Sequence, residues 1–262
     1  MIKGKPFVKW AGGKRQIIDK LVKYVPDDFD TYYEPFIGGG ALLFELAPKK
    51  AVINDSNKEL MNVYLVLCDD VKFKKMCRTL NNYETNHSQE FYYELRDKDK
   101  NKNTYKKLAD YTRAARTIYL NKACFNGLYR VNKKNEFNVP FGKKSKVNTY
   151  DGDNLITVSN YLTMNDVKIT CTDFEESLKK LEEEFQGRNI YFVSISCDKS
   201  QDEWEKFVRE RQMGGIQLHM RGNNKYMEEL GNNGVPRFLL IDREGNFIDA
   251  NMLRPSDPKT LK

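Results

Sequence analysis

The sequence has few of the residues from which metal sites and disulfide frameworks are built. It contains five cysteines and two histidines in 262 residues. The cysteines are scattered, their number is odd, and no Cys-x-x-C pair occurs. Zinc sites, dithiol redox centres and disulfide scaffolds all need clustered cysteines or histidines. The sequence therefore argues against each of these, and we expect no bound metal.

Long apolar stretches are also missing. No run approaches the roughly 20 apolar residues that a membrane-spanning helix needs. Residues 1–15 lack the apolar core of a signal peptide. We therefore expect a cytoplasmic protein with no membrane partner. Its length suits one large domain or two small ones.

Positive charge is unevenly distributed along the chain. Residues 1–180 hold 32 Lys and Arg against 23 Asp and Glu, whereas residues 181–262 hold 12 against 14. The excess is concentrated in residues 111–146, with nine Lys and Arg and one acidic residue, Glu136. Such a cluster favours a polyanion partner. The alternative is a solvated surface, which is how most charge runs are used.

The stretch Thr31–Asn57 predicts a strand, a glycine turn, a helix and a second strand. Residues 32–36 suit a strand end, glycines 38–40 permit a tight turn, and residues 41–46 predict the helix. Asp55 follows the second strand at its carboxyl end, where open α/β sheets bind ligands. A carboxylate there can accept hydrogen bonds from both ribose hydroxyls. The pattern predicts a nucleoside site; the alternative is a βαβ unit whose glycines are only structural.

The residues ahead of this unit point the same way. Trp10 precedes a Gly12-Gly13 turn, and Lys14 follows in the first turn of a predicted helix. A positive charge at a helix N-terminus opposes the helix dipole unless an anion binds there. We therefore expect a carboxylate or phosphate nearby and a stacking role for Trp10, with core packing as the alternative.

The middle of the chain predicts helices and then a hairpin. Residues 58–120 predict helices, with a charged, exposed loop over 97–107. Residues 128–131 and 136–139 predict a β-hairpin in which basic and aromatic residues are interspersed. A hairpin can enter the major groove, where basic side chains position phosphates and Arg or Asn contact base edges. An ordinary surface hairpin is the alternative.

Six segments over residues 5–178 occur in the order of one known family: PFVKWAGGKRQ, EPFIGGGALLF, INDSN, FNGLYRVN, EFNVPFG and TDFEE. In this order they resemble the Dam-like, GATC-recognising DNA adenine N6-methyltransferases. The resemblance implies a Rossmann-like α/β fold with a mostly helical and hairpin DNA-recognition region inserted at about residues 60–150. It also implies S-adenosylmethionine as cofactor and double-stranded DNA as partner.

The resemblance also implies two sets of site residues. The cofactor pocket would be lined by Trp10, Lys14, Glu34, Phe36, Gly38, Gly40, Asp55, Asp173 and Phe174. Asp55 would hold the ribose, and Asp173 with Phe174 the adenine. DNA would be contacted by Lys9, Asn126, Leu128, Arg130, Asn132 and Pro140, to which the basic cluster adds Lys133, Lys143 and Lys144. Arg130 would contact guanine.

The family pattern breaks after TDFEE. Members have a strand ending in Asp-Pro-Pro-Tyr, whose Asp accepts hydrogen bonds from the target amino group and whose aromatic ring stacks on the flipped base. This chain has Ser-Cys-Asp-Lys-Ser at 196–200 instead. Asp198 is the candidate to accept hydrogen bonds from the target amino group. The residues present therefore predict crippled or absent catalysis.

Residues 178–262 resemble a different family, the thioredoxin-like domains of the TlpA and ResA type. The segments LKKLEEEFQGRNIYFVSISCD and GVPRFLLIDREGNFI carry the resemblance and predict the order βαβαββ. The family's Cys-x-x-C segment has no counterpart, because Cys197 follows the domain's second strand. We therefore predict a chimera of two parts, residues 1–178 and 179–262. We also hypothesise that Ile190–Ser196 pairs beside the first strand and completes the methyltransferase sheet.

Four functions are compatible with these patterns. The first is a DNA adenine methyltransferase, and the second a catalytically inactive protein that binds cofactor or DNA. The third is a thiol-disulfide protein without its dithiol, and the fourth a purely structural chimera.

Overall fold

The computed structural model divides into a first unit, Met1–Cys171, and a second unit, Thr172–Lys262. The residues that the structure describes are 3–10, 18–22, 25, 29–172, 183, 193–196, 200–213, 216–220, 238–241 and 247–252. The predictions made for Lys14, Asp173, Phe174 and Asp198 lie outside these residues.

The first unit is a parallel sheet with a helical insertion. Its helices are α1 (Ile18–Val22), α2 (Ala41–Leu46), α3 (Lys58–Leu67), α4 (Asp70–Thr85), α5 (Gln89–Asp97), α6 (Lys102–Tyr105), α7 (Asp110–Ala123) and α8 (Gly152–Met164). Its strands β1 (Tyr32–Glu34), β2 (Lys50–Asn54) and β3 (Asp166–Thr170) are parallel in the order β1-β2-β3. The predicted α/β fold and its strand–turn–helix–strand unit are confirmed.

Apolar periodicity and capping explain the main helices. In α3 the Asn57 side chain accepts from Leu60 N at 2.9 Å, so the helix begins with one of its free donors satisfied. Apolar side chains of α3 then recur on one face and are buried against the core. In α7 every residue from Ala114 to Asn121 is buried, so this helix lies at the centre of the insertion.

The loop predicted over residues 97–107 is wrong, because the segment is largely helical, although six of its residues are exposed as predicted. The segment forms a 3-10 turn, Lys98–Lys100, followed by α6. Asp99 and Tyr105 are each only 6% exposed. One of its charges is used internally: Asp99 pairs with Arg116 at 2.9 Å, and charge pairing is what allows such a group to be buried.

The predicted hairpin is present but short. Val131 and Phe137 form an antiparallel bridge. Asn132 N donates to Glu136 O at 2.9 Å, and Asn138 N donates to Arg130 O at 3.1 Å. We call residues 128–139 the recognition hairpin below.

The second unit contains two small sheets in its described residues. β4 (Val193–Ser196) and β5 (Ile216–His219) pair in parallel, and β6 (Phe238–Ile241) and β7 (Phe247–Met252) pair in antiparallel. Helix α9 (Gln201–Glu210) is capped by Ser200, whose hydroxyl accepts from Glu203 N. The four strands and this helix agree with the predicted order. The pairing of Ile190–Ser196 with β1 stays a prediction.

No helix within the described ranges is both long enough and apolar enough to cross a membrane.

Candidate cofactor and DNA site

The glycine turn after β1 has a backbone that only glycine fits. Gly38 and Gly40 have φ of +52° and +76°, in the left-handed region that strains other residues. A Cβ on Gly40 would lie 2.6 Å from Phe44 Cε2. The turn is closed by Gly40 N donating to Ile37 O and tied to β2 by Ile37 N donating to Asn54 O, both at 2.9 Å.

Two carboxylates flank this turn at the carboxyl ends of β1 and β2. Asp55 Oδ2 accepts from Gly38 N at 3.2 Å, and its Oδ1 accepts from Asn57 N at 2.9 Å. Glu34 is only 1% exposed and accepts from the Tyr32 hydroxyl at 2.7 Å. Acidic groups therefore stand where an α/β sheet binds its ligand.

Tyr64 supports the turn from α3. Its hydroxyl donates to Gly38 O at 3.0 Å. Burial, and then the charges of Glu34 and Asp55, raise the pKa of Tyr64 well above its usual value. The hydroxyl therefore stays protonated and remains a donor to the turn. The same charges make this a site that favours a cationic ligand.

Trp10 joins the glycine turn to the recognition hairpin. A Cβ on Gly38 would lie 2.9 Å from Trp10 Cδ1, so the indole covers the turn. The indole also stacks on Tyr129, with ring centroids 4.6 Å apart and planes at 26°. Tyr129 in turn meets Phe137 edge-on at 5.4 Å. Trp10 therefore stacks on Tyr129, one of the aromatic residues interspersed in the predicted hairpin, and its stacking on a ligand stays a prediction.

Asn121 fixes the backbone beside Trp10. Its side chain accepts from Lys9 N at 2.9 Å and donates to Lys9 O at 2.8 Å and to Gly127 O at 3.1 Å. Asn121 is fully buried, and a Cβ on Gly127 would lie 2.7 Å from Lys9 Cδ. Lys9 is thus held against the turn that opens the hairpin. No signal in the sequence pointed to this role of Asn121, because it lies within the buried part of α7.

All nine residues predicted to contact DNA are exposed. Asn126 has a φ of +56°, in the left-handed region that asparagine tolerates better than most residues. Arg130 Nε donates to Asn138 Oδ1 at 2.8 Å, which orients its guanidinium. Asn132 serves the turn itself, because its Oδ1 accepts from Lys134 N at 2.9 Å and Glu136 N at 3.1 Å.

A further lysine belongs to the same basic surface. Lys122 is half-buried, and burial, followed by the charges of Lys9 and Lys144, lowers its pKa. The Lys144 ammonium donates to Lys122 O. Like charges gathered in this way are relieved by an anion, as expected at a phosphate-binding surface. The basic stretch 111–146 was the available signal, although Lys122 was not singled out in it.

Each of the two parts of the chain matches a model of a known protein family. Residues 10–186 match the model of the D12 class N6 adenine-specific DNA methyltransferases. The chain belongs to this family. Residues 154–247 match a thioredoxin-like model, which agrees with the predicted two-part chain.

Several curated relatives are type II or DNA adenine methyltransferases. M1.LlaDCHI of Lactococcus lactis subsp. cremoris is 42% identical over 188 residues, 72% of this chain and 64% of the relative. M.MjaIII of Methanocaldococcus jannaschii is 42% identical over 186 residues, 65% of this chain and 63% of the relative. The DNA adenine methylase of Serratia marcescens is 38% identical over 149 residues, 56% and 52% of the two chains. The chain therefore spans less than two thirds of each relative.

A solved structure is similar to the thioredoxin-like part of this methyltransferase-family chain. It is the solution structure of a candidate thiol-disulfide oxidoreductase from Bacteroides vulgatus, 53% identical. The match covers 32% of this chain and 56% of that one, with a TM-score of 0.31.

D12-class methyltransferases use S-adenosylmethionine, and the residues of the glycine turn fit its groups. The carboxylates of Glu34 and Asp55 suit a ligand that carries an ammonium, a sulfonium and ribose hydroxyls. The glycine backbone permits close approach, and Trp10 offers an aromatic edge. Phe36 lies in the same turn and is half-buried.

Proposed function

We propose that the first unit binds S-adenosylmethionine and duplex DNA with GATC-type sites, and that methyl transfer to adenine is crippled or absent. The observation that supports this most directly is the position of Lys9 and Trp10. Trp10 covers the glycine turn and stacks on the recognition hairpin, and Lys9 is fixed beside the hairpin by Asn121. One short segment therefore contacts both candidate binding surfaces.

Each surface has a defined chemical task in this proposal. Asp55 accepts hydrogen bonds from the ribose, and Glu34 offsets positive charge on the cofactor, which supplies the methyl group when bound. Lys9, Lys122 and Lys144 neutralise phosphates. The Arg130 guanidinium is suited to the two acceptors of guanine, N7 and O6.

The doubt about catalysis comes from the chain's own residues. The target amino group becomes a better nucleophile when an Asp and a backbone carbonyl accept its hydrogens, and an aromatic ring must hold the flipped base. Residues 196–200 provide no proline pair and no aromatic ring. Asp198 is left as the candidate acceptor, and we expect it to be insufficient.

The decisive experiment measures transfer of labelled methyl from S-adenosylmethionine to a GATC duplex, with a GATC-lacking duplex as control. We expect no specific incorporation, while calorimetry detects binding of both ligands. Asp55→Ala should abolish cofactor binding, and Asp166→Ala, at an exposed position of β3, should leave it unchanged. Specific incorporation would overturn the predicted loss of catalysis. If neither S-adenosylmethionine nor DNA bound, the proposed function would be wrong and the purely structural chimera would remain.

The thiol-disulfide alternative lacks a reactive thiol in the described part of the chain. Cys68, Cys77, Cys124 and Cys171 are all free. Burial raises the pKa of each of these thiols, that of Cys68 to about 11. The thiolate is the nucleophile, and little of it exists at neutral pH when the pKa is raised. We therefore expect no insulin reduction by these four thiols.

A further inference from the structure

Asp99 connects the helical insertion to the recognition hairpin. It lies in the 3-10 turn Lys98–Lys100 and is 6% exposed. Its Oδ2 accepts from Phe137 N at 2.9 Å, a buried hydrogen bond across 38 residues of sequence. The same oxygen lies 2.9 Å from Arg116 Nη2. One carboxylate oxygen therefore binds both the hairpin backbone and a cation of α7.

Arg116 is itself held in place by several groups. Its Nε donates to Leu95 O and its Nη2 to Arg96 O, both at 2.7 Å, and its Nη1 donates to the Tyr105 hydroxyl at 3.1 Å. It is 3% exposed. The guanidinium is planar and presents its donors in a fixed geometry. Its position, and through it that of Asp99, is therefore fixed by the end of α5 and by α6.

The bond to Phe137 fixes the part of the hairpin that presents Arg130. Phe137 pairs with Val131 and is 4% exposed. The next residue, Asn138, bonds the Arg130 backbone through its N–H and the Arg130 side chain through its Oδ1. Fixing Phe137 therefore also fixes its neighbour Asn138, which orients the Arg130 guanidinium.

We propose that Asp99, backed by Arg116, is a positioning residue that sets the specificity of DNA binding. It acts by holding the Phe137 N–H, and so the strand of the recognition hairpin, at the angle that Arg130 needs to contact a base. This inference rests on the proposed DNA binding. Replacing a buried ion pair by apolar residues is often neutral in stability, so the Asp99–Arg116 pair is better explained by the position it gives the hairpin than by stability.

The test compares two variants of the full chain. Asp99→Asn keeps an oxygen that can accept from the Phe137 N–H, whereas Asp99→Ala removes it. Both variants remove the charge that faces Arg116. The control is Asp97→Ala, which removes a half-exposed carboxylate two residues away that pairs with Arg96 and Lys100. If Asp99→Ala does not fold, Asp99→Ser takes its place.

Two measurements are made on each variant. The first is amide hydrogen exchange over residues 131–138. The second is the ratio of affinities for a GATC duplex and a GATC-lacking duplex, measured with no S-adenosylmethionine present. Asp99→Ala should speed exchange in the hairpin and reduce the ratio roughly ten-fold, the scale of one good base contact. Asp99→Asn and Asp97→Ala should stay close to wild type in both.

The outcomes separate this inference from the function on which it rests. Wild-type protection of the Phe137 amide that is no greater than that of exposed hairpin amides would overturn the anchor. So would equal losses for Asp99→Asn and Asp99→Ala, because the charge rather than the hydrogen bond would then matter. A wild-type chain that does not distinguish the two duplexes would contradict the proposed function, while hydrogen exchange would still decide whether Asp99 holds the hairpin.

Discussion

The glycine turn and the recognition hairpin are held in place by different kinds of contact. The turn is fixed by its own backbone, through Ile37 and Gly40, and by its immediate neighbours Asp55 and Tyr64. The hairpin has one bridge and few backbone hydrogen bonds of its own. It depends on side chains from the helical insertion.

This difference agrees with the different ligands that we propose for the two regions. A small cofactor needs a rigid, buried backbone, and a turn that only glycine fits supplies one. A duplex needs exposed side chains on an outward surface, where a short hairpin cannot bury enough apolar area to stabilise itself. The hairpin is therefore stabilised by side chains of the insertion, Asp99 and Lys102; the Lys102 ammonium donates to Asn135 O at 3.1 Å.

The largest effect that would test this comparison lies in the turn. Gly40→Ala should lower the free energy of unfolding by at least about 2 kcal/mol, because a left-handed residue with a Cβ is strained and the new atom has no room. That Cβ would lie 2.6 Å from Phe44 Cε2 and 2.7 Å from the Tyr64 hydroxyl. Urea denaturation followed by circular dichroism measures the change.

The matched control is Gly152→Ala in the first turn of α8. A Cβ there would meet nothing closer than 4.0 Å, and replacing glycine at an unstrained position stabilises by roughly 0.4–1 kcal/mol. If the two alanine variants had equal stability, the turn would not be fixed as described.

A smaller effect is expected in the hairpin, and it should alter binding rather than folding. Arg130→Ala should reduce discrimination between a GATC and a GATC-lacking duplex by about 1–3 kcal/mol with little change in stability. Lys133→Ala should weaken binding to both duplexes alike and reduce the salt dependence by about one released counterion. Fluorescence anisotropy over a range of salt concentrations measures both. Similar behaviour of the two variants would remove the distinction between base and phosphate contacts.

The sequence predicted the turn well because the information there is local. Glycines at 38–40, an apolar helix over 41–46 and Asp55 after a strand each have a physical consequence within a few residues. The structure agrees in all three: left-handed glycines, α2 at Ala41–Leu46, and Asp55 at the end of β2.

The sequence predicted the supports of the hairpin poorly because they act over long distances. Asp99 and Phe137 are 38 residues apart, and Lys102 and Asn135 are 33 apart. A charged stretch such as 97–107 has the composition of a solvated loop, and the burial of Asp99 within it depends on the distant partner Arg116. Composition and periodicity carry no information about such a partner.

The stack of Trp10 on Tyr129 is the contact that joins the two regions, and a double-variant cycle measures how strongly it does so. Trp10→Leu and Tyr129→Leu should show a coupling of about 1 kcal/mol in the free energy of unfolding, the usual worth of an aromatic pair beyond its buried area. Tyr129→Phe keeps the ring and therefore the stack, so its cycle with Trp10→Leu should show a coupling near zero. Strictly additive losses of unfolding free energy would mean that the turn and the hairpin are stabilised independently. The contact at Trp10 would then contribute no coupling between them.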